Sequence, residues 1–295
     1  MRWLDGATLR GVLPMSACID AMESAFSPDR ETPLRTALAG SLVMPGRVGA
    51  HTGVKVVSTV PGSPAGIVVA FGPDGAPLGL VDGPTLTALR TAAGAGLATR
   101  LLAAPAAATL AMLGAGAMAP DQVAAVRAVR PITRVLVWSR DPANAARLAD
   151  ALAADGVEAQ VAADPSAAVA EADVVSCATP ATEPLFDAGA VRPGTHVNAV
   201  GAFTPAMCEV PPALVRDAFV VVDDRDAAAA EAGDLLRAGR GPDATVADLL
   251  AAPPAHDPGR VTLFKSVGIA SQDVVAAVAA LARADAAGAG TVLPG

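Results

Sequence analysis

The chain has 295 residues and a formal net charge of −8; 53% of its residues are hydrophobic but only 3% aromatic, with no Tyr and two Trp. That balance excludes a phosphate-backbone binder, which needs clustered Lys and Arg, and a base-stacking platform, which needs rings. The length suits two domains of ordinary size, and an acidic surface suits a protein handling small molecules. In chain order, "MSACIDAMESAF" has apolar residues at helical spacing with Ser16 near its start as a cap. Strand-like runs follow in "TALAGSLVM", "HTGVKVVSTV" and "AGIVVAF", and the Asp-Gly of "GPDGAPLGLVDG" predicts a hairpin connection. "GPTLTALRTAAGAGLATRLLA" reads as a long helix that starts after Pro84 and stops near Pro105. From Ala108 short Val- and Leu-rich strands ("TLAMLG", "RVLVWS", "EAQVA", "DVVSCAT", "HVNAV", "FVVVD") alternate with helices such as "DPANAARLADALAA". This alternation predicts βαβ units and a parallel sheet covered on both faces. A last strand "VTLFK", a helix "ASQDVVAAVAALARADAA" and a frayed Gly-rich tail close the chain.

Cys18, Cys177 and Cys208 have no paired spacing, which points to a reducing cytosol rather than a disulfide framework. "MRWLDGATLRGVL" lacks the apolar core of a secretory signal, and no clean apolar window reaches membrane-span length. A cytoplasmic protein is therefore expected, with no membrane and no nucleic acid among its partners. His51, His196 and His256 are isolated, so no metal site is expected.

The stretch "MLGAGAMA" has the spacing G-x-G-x-x-A, placed between a predicted strand and a predicted helix. Gly114 permits the turn, Gly116 lets a pyrophosphate approach the backbone, and Ala119 allows close helix–strand packing. Ala115, Ala117 and Met118 complete the loop. After the second strand stand Ser139 and Arg140, where NAD binders place an acid for the ribose 2′-hydroxyl. Arg140 can grip a 2′-phosphate, so NADP(H) is favoured over NAD(H). In the first third, Arg35, Lys55 and Arg90 are cations set among apolar residues. A Lys inside "GVKVVS" calls either for a bound anion or for an edge strand that turns it to water.

Together "LRTALAGSLVMP", "GVKVVSTVPGSP", "DGPTLTALRTAA", "LGAGAMA", "VWSR", "ADVVSCATPATEPLF", "GTHVNAVGAFTPAMCEV", "VVDDRDAAAAEAGDL" and "TLFKSVGIASQD" resemble the ornithine cyclodeaminase/mu-crystallin family over nearly the whole chain. The resemblance implies an α/β fold with a Rossmann-type doubly wound parallel sheet domain at 108–260. A discontinuous α+β domain for substrate binding and dimerisation would comprise 1–107 and 261–295, and the assembly would be a homodimer. By the same resemblance Arg35, Lys55 and Arg90 surround a substrate carboxylate, Met44 and Phe203 line the substrate, and Lys55 is the catalytic group near the reacting nitrogen. Thr91 contacts a cofactor phosphate. Ala178, Thr179 and Pro180 line the nicotinamide ribose, Val200 and Gly201 the nicotinamide ring, and Ser266 and Gly268 the wall over it.

The family's shared chemistry is hydride transfer between a nicotinamide and the α-carbon of an amino or imino acid. Cyclodeaminases carry an Asp where Phe203 stands here, and a phenyl ring cannot shuttle protons. "GAFTPAM" resembles instead the reductases of Δ1-pyrroline-2-carboxylate and its six-membered ketimine homologue, which yield L-proline or L-pipecolate. Alternatives are an ornithine or lysine cyclodeaminase, an amino acid or N-substituted amino acid dehydrogenase, and a crystallin-like NADP-binding protein. Two departures from the family pattern are a shorter loop after "VPGSP" and Met118 in place of a common Gln.

Overall fold

The computed structural model describes residues 1–60, 65–253 and 257–293; most of the "VPGSP" loop and His256 lie outside the described residues. The chain divides into two compact units, Met1–Gly94 with Ile269–Gly295, and Ala95–Gly268. In chain order the first stretch holds β1 (Arg2–Leu4), α1 (Gly6–Val12), α2 (Met15–Ala25), β2 (Thr36–Leu38), β3 (Ser41–Val48), β4 (His51–Ser58), β5 (Gly66–Phe71), β6 (Pro77–Asp82) and α3 (Gly83–Leu102). The second holds β7 (Thr109–Leu113), α4 (Ala119–Val129), β8 (Arg134–Trp138), α5 (Pro142–Ala154), β9 (Glu158–Val161), α6 (Pro165–Glu171), β10 (Val174–Cys177) and β11 (His196–Ala199). It continues through α7 (Pro212–Asp217), β12 (Phe219–Val222), α8 (Arg225–Glu231), α9 (Gly233–Ala238), β13 (Ala244–Thr245), α10 (Val246–Ala251) and β14 (Thr262–Lys265). The chain then returns to the first unit with α11 (Ala270–Ala286) and β15 (Thr291–Val292).

The first unit is built on a mostly antiparallel sheet ordered β15-β1-β6-β5-β4-β3-β2. Side chains alternate across it as a strand period of two requires. On one face Lys55, Val68, Ala70 and Val81 are buried, and α11 packs against β3 to β6 with α2 beside it. On the other face Val54, Val69 and Leu80 lie in register across three strands, and Val56 pairs with Ile67. These side chains are half-buried or exposed, Val56 at 38% and Ile67 at 44%.

The second unit is a parallel sheet ordered β13-β12-β14-β11-β10-β7-β8-β9. Strand order reverses at β7, so the crevice outside the carboxyl ends of β7 and β10 is the topological switch point where such sheets bind ligands. Local sequence explains its helix starts. Asp141 and Asp164 each accept a backbone N–H of the first turn, and each is followed by a Pro that fits the first helical position.

Several sequence-based expectations need correction. The strand Thr262–Lys265, assigned above to the first domain, hydrogen-bonds between β11 and β12 in the parallel sheet. Its Leu-Phe pair is wholly buried there, which the short apolar run alone did not distinguish from an antiparallel partner. The Gly-rich tail is not frayed throughout, because β15 pairs with β1 and the Leu293 amide donates to the Met1 carbonyl. Ser16 does not cap α2; Pro14 occupies that position and offers no side-chain cap. "TALAGSLVM" is two strands, with a turn that Gly40 makes at φ +86°.

Inside the parallel sheet, His196 hydrogen-bonds the Thr262 hydroxyl at 2.8 Å and Asn198 Oδ1 at 3.1 Å, and Asn198 Nδ2 donates to Thr99 Oγ1 at 2.9 Å. Burial lowers the imidazole from 6.5 to about 3. The folded state thus refuses a proton that the unfolded chain accepts below 6.5, and stability is lost as pH falls through that window toward 3. From pH 7.5 to 5 the loss is expected to be about 2 kcal/mol from this group alone. His196→Gln should show a shallower decline of Tm over the same range; an equal slope in both proteins would remove His196 as the cause.

Candidate functional site

Two clusters, each inside one unit, carry the chemistry. The first centres on Lys55, which sits in β4 between β3 and β5 rather than on an edge, so the solvent-facing reading of this Lys does not hold. It is 3% exposed. Its Nζ lies 2.9 Å from Asp273 Oδ1 and 2.8 Å from Oδ2. Arg90, on α3, donates from Nε to Asp273 Oδ1 at 3.0 Å and from Nη1 to Gln272 Oε1 at 3.3 Å. Gln272 Oε1 also accepts the Ile269 amide at 3.1 Å, fixing the first turn of α11. Met44 is buried and stands opposite Lys55 in register, so its side chain shares the Lys55 face. Arg35, half-buried just before β2, is close enough for its charge to act on Lys55.

Two cations thus pair with a single carboxylate, and the charge of a third, Arg35, acts on Lys55. Burial lowers the Lys55 ammonium from 10.5 to about 8, and the Arg90 and Arg35 charges push the same way against the restoring pull of Asp273. Asp273 shows the mirror image: burial pushes its carboxyl up, but Lys55 and Arg90 outweigh that and hold it below the ordinary carboxylate value. The cluster retains excess positive charge in a dry setting, where an anion is favoured. Asp273 and Gln272 were not singled out in the sequence. The signal was present in "SQD", since an acid in the first turn of an otherwise apolar helix needs a cationic partner.

The second cluster gathers at the carboxyl ends of β7, β10 and β11. Gly114 has φ +106°, and a Cβ there would fall 2.8 Å from the Ala178 carbonyl oxygen and 2.7 Å from the Thr179 methyl. The loops after β7 and β10 therefore touch at the switch point, and only glycine fits. A Cβ at Gly116 would meet nothing within 4 Å, so that side of the loop is open. Among the described residues, the amides of Ala115, Gly116, Ala117 and Met118 donate to no protein acceptor. Met118 supplies no side-chain cap to α4, and Ala119 is buried behind the loop. An open, unspent set of amides at a helix N-terminus fits the diphosphate of a dinucleotide. Beyond β8, Asp141 spends its carboxylate on the Ala143 amide at 3.0 Å as the cap of α5. Arg140 is exposed and makes no hydrogen bond or ion pair among the described residues, and half-buried Ser139 stands beside it.

The model of the ornithine cyclodeaminase/mu-crystallin family matches residues 12–287. The chain belongs to this family. It is 37% identical over 221 residues to the ketimine reductase mu-crystallin of Mus musculus, covering 75% of this chain and 69% of that one. It is 35% identical over 280 residues to the Δ1-pyrroline-2-carboxylate reductase of Bacillus cereus, covering 85% and 86%. The solved structure of the Thermococcus litoralis Δ1-pyrroline-2-carboxylate reductase with NADH and L-proline superposes with a TM-score of 0.94 at 31% identity, over 99% of this chain and all of that one.

Of the remaining residues that the resemblance to this family singled out, Thr91 lies beside Arg90 on α3 in the first unit, 6% exposed. Ala178, Thr179 and Pro180 follow β10, and Val200 and Gly201 follow β11, all at the same edge of the sheet as Gly114. Phe203, in the second unit, is 43% exposed. Ser266 is buried, and its hydroxyl is committed to Asp223 Oδ2 at 2.8 Å, which also accepts the Gly268 amide at 2.7 Å. Asp223 and Asp224 therefore offer no spare acid: the first ties this segment, and the second caps α8. The three cysteines are free and buried. Among the described residues no helix is long and apolar enough to cross a membrane, and no cluster of His, Cys, Asp and Glu is arranged to hold a metal.

Proposed function

We propose that the protein is an NAD(P)H-dependent oxidoreductase that reduces a cyclic imino acid, Δ1-pyrroline-2-carboxylate or Δ1-piperideine-2-carboxylate, to L-proline or L-pipecolate. The observation that carries this reading is the buried cluster of Lys55, Arg90 and Asp273, with the Arg35 charge acting on it. Arg35 and Arg90 hold the substrate carboxylate and orient the ring, with Met44 packing beside it. Lys55, lowered to about 8, is protonated at neutral pH yet close enough to it to yield its proton to the imine nitrogen, which makes the adjacent carbon more electrophilic. The nicotinamide, when bound, supplies the hydride for that carbon. Its diphosphate is held by the loop Gly114–Met118, and its nicotinamide half by Ala178, Thr179, Pro180, Val200, Gly201, Ser266 and Gly268. Phe203 supports the reductase over a cyclodeaminase, since it offers no acid for a second amine.

The test is the oxidation of NADPH and NADH with each imino acid, with ornithine assayed in parallel for ammonia. Imine-dependent oxidation without ammonia release is the expected result; ammonia and proline from ornithine would overturn it.

NADP(H) is the preferred dinucleotide in this reading, because Arg140 is unspent while Asp141 is committed to its helix. Arg140→Asp is expected to shift the NADPH/NADH ratio of kcat/KM by at least about tenfold toward NADH, the scale of one lost charge-assisted contact plus one repulsion. An unchanged ratio would take Arg140 out of the cofactor site. The protein also acts as a homodimer joined through the apolar outer face of the first sheet, Val54, Val56, Ile67, Val69 and Leu80. Ile67→Asp would bury a charge in that interface. Light scattering should show wild-type dimers and variant monomers; an unaltered mass would place the interface elsewhere.

A further inference from the structure

Behind the loops that follow β10 and β11 lies a buried carboxylate that the reaction itself does not use. Glu209 is wholly inaccessible. Its Oε1 accepts the Thr179 amide at 2.6 Å and the Thr179 hydroxyl at 2.9 Å, and its Oε2 accepts the amides of Gly201 at 2.7 Å and Ala202 at 3.0 Å. Three of these contacts are amide donors and the fourth is a hydroxyl that can donate, an arrangement that suits an ionised carboxylate. Gly201 is pressed so closely into this arrangement that a Cβ would fall 2.2 Å from the Thr179 nitrogen.

The carboxylate is itself held from behind. Asp234 Oδ1 accepts the amides of Glu209 at 2.7 Å and Val210 at 3.0 Å. Lys265, at the end of β14, pairs with Asp234 Oδ2 at 2.8 Å and donates to the Ala202 carbonyl. Both members of that ion pair are fully buried. Five segments of chain thus close on one another through three charges, and a half-satisfied network of this kind would be costly. Thr179 in turn abuts the position a Cβ would take on Gly114, so the clamp ends at the switch point.

Resting on the dinucleotide site proposed above, we infer that Glu209 is a positioning residue that sets Thr179 and the Gly201–Ala202 turn as the seat of the nicotinamide half, with the Lys265–Asp234 pair as its strut. The seat needs a rigid form because the ring must present one carbon to the substrate within a few tenths of an ångström. Diphosphate binding at Gly114–Met118 draws on different amides and does not depend on Glu209.

The experiment is calorimetric titration of wild type and Glu209→Gln with NADPH and with 2′-phospho-ADP-ribose, which lacks the nicotinamide, and likewise with NADH and ADP-ribose. Gln turns one end of the side chain into a donor facing donors. It is expected to weaken each whole dinucleotide at least tenfold and each fragment less than twofold. Thr179→Val, which removes only the hydroxyl contact, should show the same split at roughly twofold to threefold, and it carries the test if Glu209→Gln does not fold. Equal loss for dinucleotide and fragment in both variants, or no loss at all, overturns the positioning role while the dinucleotide site stands. Failure of wild type to bind any of the four ligands overturns both.

Discussion

Lys55→Ala is expected to lower kcat/KM for the cyclic imine by about a thousandfold while NADPH affinity stays within about twofold, as read by single-turnover reduction and by titration of the cofactor. A positioned proton donor contributes on the order of 10²–10⁴, and the substitution also removes one of the cations proposed to face the carboxylate. The cofactor loop draws on none of these atoms: Lys55 belongs to the first unit, whereas Gly114–Met118 lie in the second. The fold should survive, because Asp273 keeps Arg90 at 3.0 Å and is not left as an unpaired buried charge. Lys55→Met, which restores the apolar volume of the stem, separates packing from chemistry; it should recover thermal stability without recovering turnover. Equal collapse of cofactor affinity would mean that Lys55 serves the dinucleotide rather than the substrate.

Much of this was legible in the chain because local and global signals agree there. The loop at Gly114 announces itself by spacing and by its strand–helix frame, and the structure places Gly114 where a Cβ would collide and Gly116 where the backbone lies open. The three cations could be found because charge inside an apolar run demands a partner. Their partner could not be named the same way. Asp273 lies 218 residues from Lys55 and is brought to it only when α11 returns to cover the sheet that β3 to β6 build. The strand Thr262–Lys265 went to the wrong domain for a related reason, since a four-residue apolar run carries no mark of which sheet it will join. Glu209 could not be singled out from the chain, because the four donors that give it meaning come from two loops separated in sequence. What sequence reading loses here is convergence of distant polar groups, and it is convergence that fixes proton affinity.

That dependence gives the last expectation its sign. Lys55 sits at about 8 because burial and the charges of Arg90 and Arg35 lower it while Asp273 raises it. If Lys55 must be protonated to act, wild-type kcat/KM should be flat near neutrality and fall as pH rises through about 8. Asp273→Asn keeps the shape and one acceptor but deletes the negative charge that favours the ammonium. The lysine is then left with burial and two cations, so the alkaline limb should move to lower pH by about one unit, a loss of rate of about fivefold at pH 8 that approaches tenfold at higher pH and shrinks as the pH is lowered. Discharging Lys55 also relieves part of the cost of burying it unpaired, which otherwise runs to about 3–5 kcal/mol, so the variant should unfold at a lower temperature in acid than near pH 8. A purely structural role for Asp273 would lower kcat/KM by the same factor at every pH. A pH–rate profile of both proteins therefore decides the matter: a displaced limb makes Asp273 the residue that keeps the proton donor charged, and two parallel profiles would refute it.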